Sequence, residues 1–312
     1  MTELYIHRQE QAQEEVAKVE RLVSEFFSKR GAIPINLNWP SHRSSGEEHG
    51  TYALKIRSPA IRTERTQAPF IVLNSHGRFH GRTYFSVRQF KGRLGYVHID
   101  AHADGCTENF KEVDCGNFVN NILRLPNISD VCLIGPTYYP LRECLGWYDG
   151  DGDNFGSFNF SPTSILTDER TRFFLGDGAR TSTVRKDRFD DPEHLEDLKE
   201  WIESFNHKYI HLGNFDPSLI KANNVYISVD LDVVKGFPSG WPNAGILSIK
   251  NVLDAIQLIG REKRIIGADI CGLALESSQR GKYAKEDLES GLKTMFEVYS
   301  TLREGMFGST RN

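Results

Sequence analysis

No stretch of this 312-residue sequence approaches the roughly 20 consecutive apolar residues that a membrane-spanning helix requires. Its first residues, MTELYIHRQEQAQEE, are polar and lack the apolar centre of a secretory signal. A membrane partner is therefore not expected. There are five cysteines, an odd number, and no two form a CxxC pair. That argues against a disulfide framework and for free thiols in a reducing compartment, so a cytoplasmic location is expected. A large excess of one charge is also lacking, since the formal net charge is −4. A chain dedicated to nucleic acid would carry a basic excess, so nucleic acid is not an expected partner. The segment Leu175-Gly176-Asp177-Gly178 lacks the third glycine of a dinucleotide fingerprint, which argues against nucleotide binding there. No internal repeat and no clear linker divide the chain.

What is present is enough hydrophobic sequence, 39% of residues, for a packed core. Residues 5–29 have the pattern of an amphipathic helix, with Val16, Val19, Leu22, Val23 and Phe26 at helical spacing and Gly31 as a stop. Residues 32–68 read as irregular, apart from a candidate strand at 51–56. Beyond them, short apolar runs recur at 69–73, 95–99, 130–134, 171–175, 225–229 and 265–270. Helical patterns lie between several of these, at 81–91, 116–125, 193–205, 248–260 and 285–304. Such alternation predicts βαβ units and a mainly parallel sheet in an α/β fold. We expect one domain over 1–312, with residues 1–30 as an N-terminal helical extension.

In parallel α/β sheets, sites form beyond the carboxyl ends of the strands. Four of the apolar runs end in groups able to hold a metal. The run 95–99 leads into Asp100, His102 and Asp104, within the string HIDAHAD. The run 225–229 leads into Asp230-Leu231-Asp232. The run 265–268 leads to Asp269, and 69–73 is followed by His76 and His80. Each piece alone is common: a DxD is often a turn, and Asp269 alone reads as a helix cap. His98 precedes the strand end and is assigned to packing. Four such ends together suggest a shared site. Carboxylates mixed with imidazole suit Mn2+, Fe2+ or Zn2+, and a set without thiolates disfavours a structural zinc. Two cations held about 3.5–4 Å apart would neutralise the carboxylates and share a hydroxide made at neutral pH.

The strings VHIDAHAD and VYISVDLDVVKGFPSGWPNAGIL resemble the second and third metal motifs of the arginase–agmatinase (ureohydrolase) superfamily. The resemblance covers about 69–300. It implies a three-layer α/β/α sandwich and two Mn2+, and an activated water that releases urea from a guanidino group. By motif position it implies Asp100, His102, Asp104, Asp230 and Asp232 as ligands, with His80 as the sixth and His76 as the alternative. Asp104 would be a bridging ligand that also carries a proton, and Asp104 and His102 are the catalytic candidates. Members of the family form trimers or hexamers, so a homo-oligomer is compatible with the resemblance.

The departures from the family matter as much. Cys106 stands where the family has an Asn that grips the α-carboxylate. Asp114-Cys115-Gly116-Asn117 stands where a proton-shuttling His precedes a Gly. Gly272 stands where a Glu grips the guanidinium. Cys115, Asn117, Asp177 and Glu276 are therefore the candidates for substrate contact. This pattern resembles the branch of peptide arginases of ribosomal-peptide biosynthesis, which implies an arginine-containing peptide, such as a ribosomal precursor, as substrate and ornithine plus urea as products. Two other readings remain open: hydrolysis of free arginine, agmatine or another small guanidino compound, and a non-catalytic metal- or peptide-binding protein. Asp149–Asn154 resembles the start of a calcium loop but has Phe160 where the final Glu belongs. Arg57, Arg62 and Arg65 read as a solvated basic cluster.

Overall fold

The short apolar runs become the strands of one sheet because residues buried on both faces read as near-continuous hydrophobic sequence. The computed structural model describes residues 2–32, 69–74, 77–105, 113, 115–136, 164–177, 209–240, 245–277 and 281–308. Among them are β1 (Phe70–Leu73), β2 (Leu94–Ile99), β3 (Ile128–Ile134), β4 (Thr171–Leu175), β5 (Tyr209–His211), β6 (Asn224–Asp230) and β7 (Arg264–Cys271). They form a seven-stranded sheet in the order β1-β7-β6-β2-β3-β4-β5. Every pairing in it is parallel. A two-residue hairpin, β8 (Glu276–Ser277) and β9 (Gly281–Lys282), lies outside it. Strand β5 went unseen in the sequence because three residues are too short to show a pattern.

Among the described residues six helices accompany the strands: α1 (Thr2–Ser28), α2 (Thr83–Val87), α3 (Phe118–Leu123), α4 (Ser164–Thr167), α5 (Ile249–Glu262) and α6 (Lys285–Phe307). Successive strand residues point to opposite faces. Val97, Ile99, Ile134 and Val229 pack with residues of α1, α5 and α6. Tyr96, Leu133, Phe173 and Tyr226 pack with residues of α2, α3 and α4. The result is the expected three-layer α/β/α arrangement. Gly267 belongs to it for a steric reason: a Cβ there would stand 2.7 Å from the Tyr226 ring.

The helices depart from the pattern in instructive ways. The expected helix 81–91 is a tight 3-10 turn over Gly77–Arg82 followed by the short α2. Helix α3 stops at Leu123, just ahead of Pro126, which cannot continue it. In α1 the fully buried stripe is Val19, Val23 and Phe27, while Phe26 is half-buried and Leu22 lies outside. Spacing of i, i+4, i+8 rotates the stripe away from the Phe26 face. Phe27 is held edge-on by Phe296 and Tyr299, each with ring centroids 5.3 Å away. Burying these three side chains contributes roughly 1.5–3 kcal/mol each, so the second half of α1 is core rather than appendage. Glu15 ties it further by accepting the Leu275 N–H at 3.1 Å.

The candidate strand 51–56, the helix 193–205, the basic cluster and the calcium-like string lie outside the described residues. Among the described residues, no helix is long and apolar enough to cross a membrane.

Candidate metal centre

Strands β7, β6 and β2 are neighbours, so their carboxyl ends open side by side. Asp100 follows β2 directly, Asp230 is the last residue of β6, and Asp232 lies in the 3-10 turn that continues it. Strand β7 runs on to Cys271, so Asp269 lies inside the strand instead of at its end. It is neither a helix cap nor one of the converging donors.

Asp269 acts one layer below. In register, His98 stands beside Ser228 and Ser228 beside Asp269. These residues share the face carrying Tyr96 and Tyr226, giving a polar row across three buried strands. The Ser228 hydroxyl donates to Asp269 Oδ1 at 2.9 Å, as does the Thr83 hydroxyl. Ser228 Oγ then has lone pairs for His80, whose Nε2 lies 2.7 Å away. A neutral His80 would then carry its proton on Nε2 and turn the Nδ1 lone pair toward the carboxylates. Nδ1 is buried and makes no hydrogen bond. It lies 3.1 Å from Asp100 Oδ2, 3.1 Å from Asp104 Oδ2 and 3.6 Å from Asp230 Oδ2. A histidine oriented through its far nitrogen by a hydrogen-bonded carboxylate is the usual design for a metal ligand.

The turn after β2 is fixed by α3. Asp104 O accepts the Val119 N–H at 3.0 Å, and Gly105 O accepts the Asn120 side-chain amide at 2.8 Å. Asp104 is the one described non-glycine residue with positive φ, at 46°. That left-handed bend, which aspartate tolerates better than most residues, brings its carboxylate back over the strand end. On the other side, His102 Nδ1 lies 3.0 Å from Asp232 Oδ2 and 3.4 Å from Asp100 Oδ1.

The donors thus form groups that overlap at Asp100 and at His80. Asp100 Oδ2 faces His80 and His98, while its Oδ1 faces His102. Asp104, expected as the bridging carboxylate, has its Oδ2 facing His80 and His98, whereas Asp100 faces histidines on both sides. The assignment of His98 to packing needs a similar correction. Its ring is buried and stacks on His80 at 5.1 Å. Yet its Nε2, without a hydrogen bond, faces Asp100 Oδ2 at 3.3 Å and Asp104 Oδ2 at 3.6 Å, while Tyr96 OH meets its Nδ1 at 3.1 Å. Burial lowers its pKa to about 3, so the ring is neutral and able to donate a lone pair.

The donor set fits cations. Ligands of one cation with bonds of about 2.1 Å stand roughly 3 Å apart, as these atoms do. Burial pushes the Asp104 and Asp230 carboxyls up, and the charge of Asp100 adds to it. Burial, then the charge of Asp230, does the same to Asp232. Burial opposes ionisation of Asp100 too, but the His102 and His80 side chains beside it outweigh that and hold the carboxyl well below the usual range. Carboxylates raised on folding bind more protons in the folded than in the unfolded chain, so they subtract stability as pH rises above about 4. Cation binding must displace those protons. Titration calorimetry with Mn2+ in buffers of different ionisation enthalpy should therefore show net proton release. The stabilisation given by Mn2+ should widen from about pH 5 to about pH 8. Buffer-independent heats would contradict this.

The other candidates are placed differently. Asn117 is fully buried at the start of α3, where its backbone oxygen accepts the Asn121 side-chain amide at 3.2 Å. Cys115 is exposed just before it. Asp177 lies in an exposed turn, 2.6 Å from His211 Nε2, and Glu276 is exposed in the small hairpin. Cys115, Asp177 and Glu276 are not among the donors that converge. His76, Cys106 and Asp114 lie outside the described residues. Gly272 is explained by geometry. Its φ is +115°, and a Cβ there would stand 2.5 Å from Asp230 Oδ1 and 2.8 Å from the Leu231 nitrogen. No side chain, glutamate included, fits while Asp230 keeps its place.

Sequence reasoning missed Ser228 and Cys271. Ser228 was visible as a lone polar residue two before Asp230 in an apolar run. Cys271 gave no signal, since a buried cysteine reads as a small hydrophobe.

No protein-family model and no curated protein matches this sequence. Solved structures are similar to it. Formimidoylglutamase from Bacillus subtilis shares 15% identity at a TM-score of 0.44, over 76% of this chain and 60% of that one. Proclavaminate amidino hydrolase from Streptomyces clavuligerus shares 17% at 0.45, over 77% and 64%. Entamoeba histolytica arginase in complex with L-ornithine shares 18% at 0.40, over 77% and 71%. The chain therefore spans less than two thirds of the length of the first two. At these scores the likeness by itself assigns no activity.

Proposed function

We propose that this chain is a metal-dependent amidinohydrolase of the ureohydrolase kind that acts on arginine side chains within a peptide. One observation carries the reading: four buried carboxylates and three imidazoles converge in groups that overlap at Asp100 and at His80. His80, His98, Asp104 and Asp230 would hold one cation and His102 and Asp232 the other, with Asp100 facing both. When bound, two Mn2+ would supply a Lewis acid and a water of lowered pKa. The chain's own residues supply orientation and proton handling. Ser228 and Asp269 orient His80 through its Nε2. Asp104 would hold a proton in transit, and His102, at 22% side-chain exposure, is the most exposed of the three imidazoles. In the net reaction water adds at the guanidinium carbon and the Cζ–Nε bond breaks. The water oxygen leaves in urea, and the ornithine amine keeps the proton.

The peptide part of the proposal rests on what is missing. Cys106 replaces the asparagine that the resemblance implies for gripping an α-carboxylate, and Gly272 has no room for the guanidinium-binding glutamate. A substrate in amide linkage has no free α-carboxylate to grip. The test is incubation of the Mn2+-loaded protein with arginine-containing peptides, free arginine and agmatine. Released urea and a loss of CH2N2 per arginine of the peptide are expected. Turnover confined to free arginine or agmatine would refute the peptide assignment and favour a small-molecule ureohydrolase. Two bound cations without turnover on any guanidino compound would leave a non-catalytic binding protein.

A further inference from the structure

Three cysteines are among the described residues, and two are buried. They behave differently. Cys132, in the middle of β3, packs among Ile134, Val97 and other apolar side chains as a small hydrophobe. Cys271, the last residue of β7, is equally inaccessible but faces the carboxylates. It stands beside Asp230 in register, and its thiol donates to Asp230 Oδ2 at 3.2 Å. The same Oδ2 lies 3.6 Å from the unbonded Nδ1 of His80. The sulfur, that nitrogen and the carboxylate oxygen all lie within 4.8 Å of one another. Three donor atoms of different elements, one of them a buried imidazole nitrogen with no hydrogen bond, therefore converge there as the ligands of one cation would.

We propose that Cys271 is a thiolate ligand at the His80–Asp230 side of the centre and makes that position prefer a thiophilic cation. The inference rests on the metal centre proposed above and adds a donor that the oxygen- and nitrogen-rich motif does not contain. Binding replaces the S–H bond by a sulfur–metal bond and releases one proton to solvent. Soft thiolate donors favour Zn2+ over hard, oxygen-seeking Mn2+. The two halves of the centre therefore differ: His102 and Asp232 offer only nitrogen and oxygen, while the other half offers nitrogen, oxygen and sulfur.

The test uses Co2+, whose bond to a thiolate gives a charge-transfer absorption in the near ultraviolet that nitrogen and oxygen ligands do not. The full-length protein is loaded with Co2+, its metal content is measured, and its spectrum is recorded beside those of Cys271→Ser and Cys132→Ser. The wild-type protein and Cys132→Ser should show the band. Cys271→Ser, which keeps a donor toward Asp230, should bind Co2+ without it. In competition, Cys271→Ser should shift the Zn2+-to-Mn2+ affinity ratio toward Mn2+ by roughly ten- to a hundredfold. Bound Co2+ with no band in the wild-type protein would overturn this proposal and leave the amidinohydrolase reading intact. A band that persists in Cys271→Ser would overturn it equally. A protein that binds neither Co2+ nor Mn2+ would overturn both.

Discussion

Asp230→Asn should make the metal-free protein more stable while removing most of its response to added cation. Asparagine keeps an oxygen for the Asp232 N–H, which Asp230 Oδ1 now accepts at 3.0 Å. What it removes is one negative charge among buried carboxylates. Burial and the Asp100 charge already work against ionisation of Asp230, so folding without cations must either protonate it or bear the repulsion. Relieving this should gain roughly 1 kcal/mol or more, since each tenfold suppression of ionisation on folding corresponds to about 1.4 kcal/mol. The loss of a weak S–H···O contact with Cys271 offsets little of it. The cation response should move the other way. A ligand that binds only the folded state at about a thousand times its Kd stabilises by about 4 kcal/mol, and the variant should forfeit most of that. Turnover should fall with it, because Asp230 is shared between the His80 and Cys271 contacts. Thermal melts with and without Mn2+ measure both effects. A variant less stable without cation, yet stabilised by Mn2+ as much as the parent, would contradict the assignment.

Gly272→Glu, which writes the family's guanidinium-gripping residue back into the sequence, should damage the site instead of restoring it. The first added atom would stand 2.5 Å from Asp230 Oδ1, and the backbone φ of +115° is one that side chains rarely adopt. The chain must shift β7's end or expel the Asp230 carboxylate. Strain of this kind costs roughly 1–3 kcal/mol for the dihedral alone, with overpacking adding about as much again. Gly272→Ala should show nearly the same loss of stability and cation binding, because the obstacle is the Cβ. Denaturant unfolding and cation titration of the two variants decide it. A Gly272→Glu protein that binds cations normally and gains turnover on free arginine would mean that Asp230 sits elsewhere.

The alternation of apolar runs and helical patterns was legible because the strands are buried on both faces and carry few polar residues. Aspartates at the ends of two runs broke that rule visibly, so Asp100 and Asp230 could be named with their neighbours His102, Asp104 and Asp232. Asp269 broke it as well but was misread as a strand end. From sequence alone, a polar residue inside a buried strand and one at its tip look alike until the pairing with Ser228 and Asp230's partner Cys271 is known. In α1 the expected Val19 and Val23 are buried, but the full burial expected at Phe26 falls on Phe27, which docks edge-on against Tyr299 as well as Phe296.

By itself, then, the sequence determined most of the imidazoles and carboxylates of the site and their spacing, placed where apolar runs stop. Those are local facts, set by neighbours within a few positions. The tertiary structure decided which donors face one another. His98, Ser228 and Asp269 come together only through the registers of β2, β6 and β7. Asp100 faces histidines on both sides, whereas Asp104 has its Oδ2 facing His80 and His98. Cys271 became a donor because parallel pairing set its sulfur beside the carboxylate of Asp230. Parallel strands are joined through long crossovers, so their relative register is written nowhere in the residues between them and emerges only when the sheet is assembled.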